Sequence, residues 1–174
     1  MKSSCFGAAA LVLTALLFFN GVALADGSGD PTAVKDDDGK YFDKDGNPTY
    51  KIQADGTVDW YTYSGYVRYH SECHVCHGPD GMGSYYAPGL KDSLKTLSYN
   101  DFLGVVAAGR KNVNTANENV MPSFGTNKNV MCVIDDIYDY LRARANDALD
   151  RGRPAKHEDK PESAKKWQDS CFGP

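Results

Sequence analysis

The chain has 174 residues, with 19 lysines and arginines against 23 aspartates and glutamates, for a formal charge of −4. It carries no basic stripe of the kind that marks a nucleic-acid-binding surface, so that class is set aside. The length suits one compact domain with a real core, not two large ones.

The N-terminus reads as a signal peptide over residues 1–25. Met1-Lys2 is a minimal basic start, Ala8 to Phe19 is apolar apart from one threonine, and Ala23-Leu24-Ala25 is an A-x-A cleavage site. A membrane anchor is the alternative, because Ser3 to Ala25 is uncharged. Its densest apolar part is too short, however, and ends at the cleavage signal. The expectation is export to the periplasm with no membrane anchor after cleavage. Cys5 would leave with the signal.

Residues 26–58 form an acidic extension rich in turn residues. Asp45-Gly46-Asn47-Pro48 and Asp55-Gly56 punctuate short stretches such as Tyr50-Lys51-Ile52, which predicts small hairpins. Asp36, Asp37, Asp38, Asp43 and Asp45 raise the question of calcium. No twelve-residue loop with a terminal glutamate fits them, so a solvated acidic arm is expected.

A central domain over 59–145 follows. A helix is predicted from Asp59 to Glu72, with Gly65, Tyr69 and Cys73 spaced four apart on one face. A glycine inside a helix costs about 1 kcal/mol against alanine, a cost that makes sense where another helix crosses closely. The helix runs into Cys73-His74-Val75-Cys76-His77, a C-x-x-C-H motif. Two thiols at this spacing form thioethers to the vinyl groups of one haem, and the following histidine becomes the proximal iron ligand. A zinc site would want a second Cys/His pair nearby, and a thioredoxin-type pair would want a βαβ setting; neither is present.

Gly78 to Gly83 must be a loop. Ser98 is the expected N-cap of a helix running through Phe102 and Val106 to Gly109. A polar loop over 111–119 leads to Val120-Met121-Pro122, and a last helix is expected over 130–145, with Ile134, Ile137 and Leu141 on its apolar face. Residues 146–174 read as a Pro- and charge-rich tail without a core of its own. Once haem attachment uses Cys73 and Cys76, Cys132 and Cys171 remain. In an oxidising compartment a disulfide between them is the economical reading.

The sixth iron position decides between electron transfer and ligand chemistry. Met121 lies before Pro122, whose fixed φ bars helix and helps present the thioether. Met82 follows His77 too closely to wrap the porphyrin edge, and Met131 starts the last helix, where packing is the commoner use. His70 and His74 lie on the proximal side, and His157 lies in the tail.

Taken together, Gly65-x-x-x-Tyr69-x-x-x-Cys73, Cys73-x-x-Cys76-His77, Met121-Pro122 and Ile137-x-x-Tyr140-Leu141 resemble a class I cytochrome c over Asp59 to Ala145. The resemblance implies a mainly α fold of about three core helices around one haem c. It implies Cys73 and Cys76 as covalent attachments, His77 and Met121 as axial ligands, and the Pro88 carbonyl as the group holding the ring of His77. Val58 to Tyr66, Ser93 to Tyr99 and Arg151 to Asp159 are further similar to cytochrome c-L and its relatives, especially the branch paired with lanthanide-dependent PQQ methanol dehydrogenases. The implied protein is a monomeric, soluble periplasmic electron carrier and not an enzyme. Its donor would be a quinoprotein alcohol or methanol dehydrogenase, and its acceptor a further cytochrome or an oxidase. Val75 and Ala87, with Tyr85 and Tyr86, are expected to rim the docking edge. A haem sensor or gas-binding domain is the alternative, and a peroxidase the third reading.

Overall fold

The computed structural model describes residues 28–114 and 117–173, with the side chains of 113, 114, 117 and 118 left aside. The signal peptide read over 1–25 lies outside the described residues. Three short strands, β1 (Lys35–Asp37), β2 (Lys40–Phe42) and β3 (Pro48–Thr49), pair antiparallel in the order β1-β2-β3. Helices α1 (Trp60–Glu72) and α2 (His74–His77) follow, then a 3₁₀ turn at Pro79–Gly81. Next come α3 (Leu90–Ser93), α4 (Tyr99–Ala108), strands β4 (Arg110–Asn114) and β5 (Asn117–Met121), α5 (Lys128–Met131), α6 (Ile134–Ala145) and α7 (Glu162–Phe172). The protein is mainly helical, as expected.

Helix α1 starts at Asp59, whose carboxylate accepts from the Thr62 backbone N–H at 2.8 Å and satisfies one orphan donor of the first turn. It crosses α6 at Gly65. A Cβ there would lie 1.8 Å from the Asp136 carbonyl oxygen and 2.9 Å from Cβ of Tyr140, so only glycine permits this approach. The core lies beneath the crossing: Tyr69, Leu94, Phe102, Ile137, Tyr138 and Leu141 are all buried. Ser98 caps α4 as predicted, accepting from the Asp101 N–H.

Two elements differ from the sequence reading. The expected last helix is broken: Val133 takes φ −135°, so α5 ends before it and α6 restarts at Ile134. The break places Cys132, which is bonded to Cys171 of α7. The polar stretch expected as a loop pairs instead as the β4–β5 hairpin, with Lys111 opposite Val120 and Asn112 opposite Asn119. Alternation there is too weak to announce a strand, and only the partner strand supplies the ladder.

Both flanks are tied to the domain. The hairpins at the N-terminus appear as expected, and Asp36, Asp37, Asp38 and Asp45 are exposed as in a solvated arm, but Asp43 ties the segment to the domain. Asp43 is buried and pairs with fully buried Arg142 at 2.8 Å. Arg142 also donates to the Pro48 carbonyl at 2.9 Å and to that of Ser28. Losing one partner of such a pair costs about 3–5 kcal/mol, because the other charge stays buried. The C-terminal tail runs past Val58, which donates to the Lys156 carbonyl at 3.2 Å and accepts from the Glu158 N–H at 2.9 Å. It ends in α7, where the Trp167 indole N–H donates to the Cys132 carbonyl at 2.7 Å.

Candidate functional site

The C-x-x-C-H motif sits where α1 gives way to α2. The Cys76 and His77 backbone N–H groups both donate to the Cys73 carbonyl, at 3.2 and 3.0 Å, so the motif is one tight turn. Both thiols are free: Cys76 is exposed, and Cys73 is half-buried. Burial, with Glu72 and Cys76 nearby, pushes the Cys73 thiol up to about 12. His77 is buried, and its Nδ1 lies 2.9 Å from the Pro88 carbonyl. An N–H donated there leaves Nε2 as the free lone pair and fixes the ring's orientation.

The loop after the motif is held from several sides. A Cβ on Gly78 (φ +71°) would lie 2.1 Å from the Gly83 carbonyl oxygen, so the loop closes only through glycine. The Tyr69 hydroxyl donates to the Gly78 carbonyl at 2.5 Å and accepts from the Gly81 N–H at 3.0 Å. Asp80, at φ +58°, accepts from the Gly152 N–H at 3.0 Å and from Arg151 at 3.3 Å, and faces His70 at 3.4 Å. Burial works against its charge, but the Gly152 N–H, Arg151, His70 and Arg144 hold the carboxyl below its ordinary range. Asp80 and Tyr69 therefore support the loop. The sequence reading left Asp80 out; an aspartate between Pro79 and Gly81 in a glycine-rich loop was its only local signal.

Behind the motif opens an apolar cleft. Cys73, His77 and Met121 line it, with leucines 90, 97 and 141, Phe102, Ile137 and other apolar residues completing the wall. Met121 ends β5, opposite Arg110. Gly109 (φ +74°) turns α4 into β4, and a Cβ there would lie 2.6 Å from the Met121 carbonyl oxygen. The hairpin, not a loose loop, thus brings Met121 to the wall that His77 shares. The other candidates lie elsewhere. Met82 is exposed, with its sulfur 3.8 Å from Arg144. Met131 lines a separate pocket beside Lys40 and Trp167, which holds neither motif thiol nor His77. His157 stacks on Tyr63 at 3.7 Å. Outside the cleft, Val75, Tyr85 and Tyr86 are strongly exposed, and Ala87 is half-exposed.

An apolar slot with an imidazole, a thioether and the Cys73 thiol on its walls, and the exposed Cys76 thiol on the same tight turn, fits a covalently attached haem. Apolar walls accept the macrocycle, and the only polar ring among the lining residues is the one that can reach iron.

Comparison with known proteins agrees. No family model matches the chain. Cytochrome c-553I of Paracoccus denitrificans is 57% identical over 136 residues, 78% of this chain and 60% of that relative, so the match spans less than two thirds of its length. Cytochrome c-555 of Methylococcus capsulatus is 40% identical over 100 residues, 57% of this chain and 75% of that protein. The crystal structure of the c-type cytochrome XoxG from Methylobacterium extorquens AM1 superposes with a TM-score of 0.75 at 63% identity, covering 81% of this chain and 86% of that one. Haem c is accordingly the cofactor of this protein. Identity this high, across a fold with an apolar cleft built on a C-x-x-C-H turn, makes the chain a member of the class I c-type cytochromes.

Proposed function

We propose that the protein is a periplasmic mono-haem electron carrier. It accepts single electrons from a PQQ-dependent methanol dehydrogenase of the lanthanide type and passes them to a further cytochrome or an oxidase. The observation that carries the reading is the meeting of His77 and Met121 on one apolar cleft beside two free thiols. In this reading Cys73 and Cys76 form the thioethers, His77 and Met121 are the axial ligands, and the Pro88 carbonyl fixes the His77 tautomer. When bound, the haem supplies a one-electron Fe(III)/Fe(II) couple, which a methionine ligand raises in potential.

The chain's own residues orient the cofactor and keep water from most of it. With both axial positions filled by protein, the centre carries electrons and does not turn over a substrate. No helix among the described residues is long and apolar enough to cross a membrane. Val75, Tyr85, Tyr86 and Ala87 form a small docking rim. Transient redox complexes bury less than about 1,200 Å², so such a rim lets the partner leave after each transfer.

Stopped-flow mixing of ferric protein with methanol-reduced dehydrogenase tests the reading. One electron taken up per haem, slowed in Ala87→Glu without change in the haem spectrum, is the expected outcome. A ferric protein that the dehydrogenase does not reduce, and whose chemically reduced form binds carbon monoxide readily, would replace it with the gas-binding reading.

A further inference from the structure

Helix α6 separates two cavities. On one side Ile134, Ile137 and Leu141 line the cleft shared by His77 and Met121. On the other, Ile134, Asp135 and Asp136 line a cavity of about 430 Å³, closed by Lys40 of β2, Tyr61 of α1 and Trp167 of α7. This second cavity meets solvent beside Asp37 and Trp167, both of them exposed. It has room for several waters, each of which takes about 30 Å³ in the liquid.

Asp136 is the buried carboxyl on that second wall, and the Ser64 hydroxyl donates to it at 2.7 Å. One turn further along α6, fully buried Asp139 has no hydrogen-bond partner for either carboxyl oxygen among the described residues. A charged carboxylate is strongly disfavoured in such a setting, so burial favours the protonated acid. The groups that face the pair are Lys40 from β2, Tyr61 and Ser64 from α1, Asp59 at the cap of α1, and Asp135 on α6 itself. Lys40 is engaged by Asp135 at 2.6 Å, and the Tyr99 hydroxyl donates to the same carboxylate. Burial pushes Asp136 up to about 7, so its proton exchanges near neutrality.

We propose that Asp136 is a proton-binding site coupled to electron uptake, taking a proton from solvent through the second cavity when the haem site on the other side of α6 accepts an electron. The step balances as ferric iron and a carboxylate, plus one electron from the donor and one proton from solvent, giving ferrous iron and the neutral acid. Oxidation by the acceptor returns the proton. The coupling is electrostatic. Ferrous haem carries one positive charge fewer than ferric haem, and a helix about 10 Å across lies between the two cavities. A unit charge at about that distance, in a medium of effective permittivity about 20, alters a carboxyl's proton affinity on the order of tenfold. Asp139 adds to the response, because two neighbouring buried acids do not readily ionise together. The protein thereby neutralises in its interior the charge that each electron brings.

The inference rests on the His77/Met121 haem reading, which the far-red methionine–ferric band and reduction by the dehydrogenase check separately. The midpoint potential of the holoprotein is then titrated from about pH 5 to about pH 9. In wild type it should fall as pH rises through the neutral range, by about 59 mV in total for a tenfold coupling. Asp136→Asn replaces the acid by a neutral group of the same shape. It should cut that fall several-fold and hold the higher, acid-side potential at about pH 8. Asp92→Asn, at an exposed carboxylate of α3, should keep the wild-type slope. Reduced-minus-oxidised infrared spectra of the wild type give a second reading: reduction should add a protonated-carboxyl C=O band that shifts in heavy water. Parallel potential curves in wild type and Asp136→Asn overturn the proposal and leave the pH dependence to the haem's own propionates. Absence of a reduction-linked carboxyl band overturns it as well.

Discussion

Met121 and Gly65 carry the most consequence per atom. Met121 lends a thioether to the cleft from the end of a strand, and its neighbours on that wall are apolar. Met121→Ala should leave the haem attached, since both thioethers remain, but open the sixth position. Optical spectra should lose the weak far-red band of a methionine–ferric bond and gain high-spin features; an unchanged spectrum would remove Met121 as ligand. Gly65 matters for the opposite reason, the absence of a side chain. A methyl group there would meet the Asp136 backbone at 1.8 Å, where no rotamer change can relieve it. The helices must separate, so Gly65→Ala should cost about 3 kcal/mol or more despite its better helix propensity. Guanidinium unfolding of the holoprotein measures this, and a stabilised variant would mean that the helices do not cross so closely.

At the level of elements, the disulfide shows how a distant segment becomes part of the domain. Cys132 and Cys171 are 39 residues apart, and the bridge holds α7 against the break between α5 and α6. Chain-entropy arithmetic for that loop gives about 4 kcal/mol. The Cys132→Ser/Cys171→Ser double variant should lose stability of that order in denaturant titration while keeping its haem. Intact mass of the wild type should be two hydrogens below the dithiol, and free alkylation of both thiols without reductant would contradict the bridge. The cysteine pairing was legible because the motif accounts for the other two. The α1–α6 crossing was legible for a similar local reason, a glycine four residues before a tyrosine and eight before Cys73. Ser98 announced its helix in the same way. Pairing between separated segments was not legible: the β4–β5 ladder, the Asp43–Arg142 ion pair and the α7 helix all depend on partners that no short window contains. Within the site, the motif and Met121-Pro122 announced themselves by residue type. Asp80 and Tyr69 did not, since their roles are hydrogen bonds to a loop whose shape is set elsewhere.

Across the whole molecule, buried carboxylates on α1 and α6 set the pH range of stability. Burial pushes Asp59 up to about 6 and Asp136 up to about 7, the latter against the pull of the Ser64 hydroxyl and Lys40. Burial also raises Asp139 well above its ordinary value, with Asp59 and Asp136 adding to the effect. A native state that holds protons more tightly than the unfolded chain is favoured at low pH. Its advantage is full below the ordinary carboxylate value of 3.8 and is lost as pH rises through about 6 and 7. Asp43 runs the other way. Burial disfavours its charge, but Asn47 and Arg142 hold it below 3.8, so its contribution is present above that value and lost in stronger acid. The two trends cross in weakly acidic solution, where stability should peak. Asp136→Asn isolates the first trend, because an amide oxygen still accepts from Ser64, whose hydroxyl lies 2.7 Å from the carboxylate. A tenfold difference in proton affinity between the folded and unfolded chain is worth about 1.4 kcal/mol. The variant should therefore gain on the order of 2–4 kcal/mol over wild type at about pH 8 and almost nothing at about pH 4. Denaturant unfolding at both pH values reads the difference, and comparing the two proteins at each pH cancels the titrations that do not feel Asp136, while neighbouring Asp139, whose carboxyl Asp136 helps to raise, moves with it. An equal gain at both values would assign the effect to packing and not to the proton.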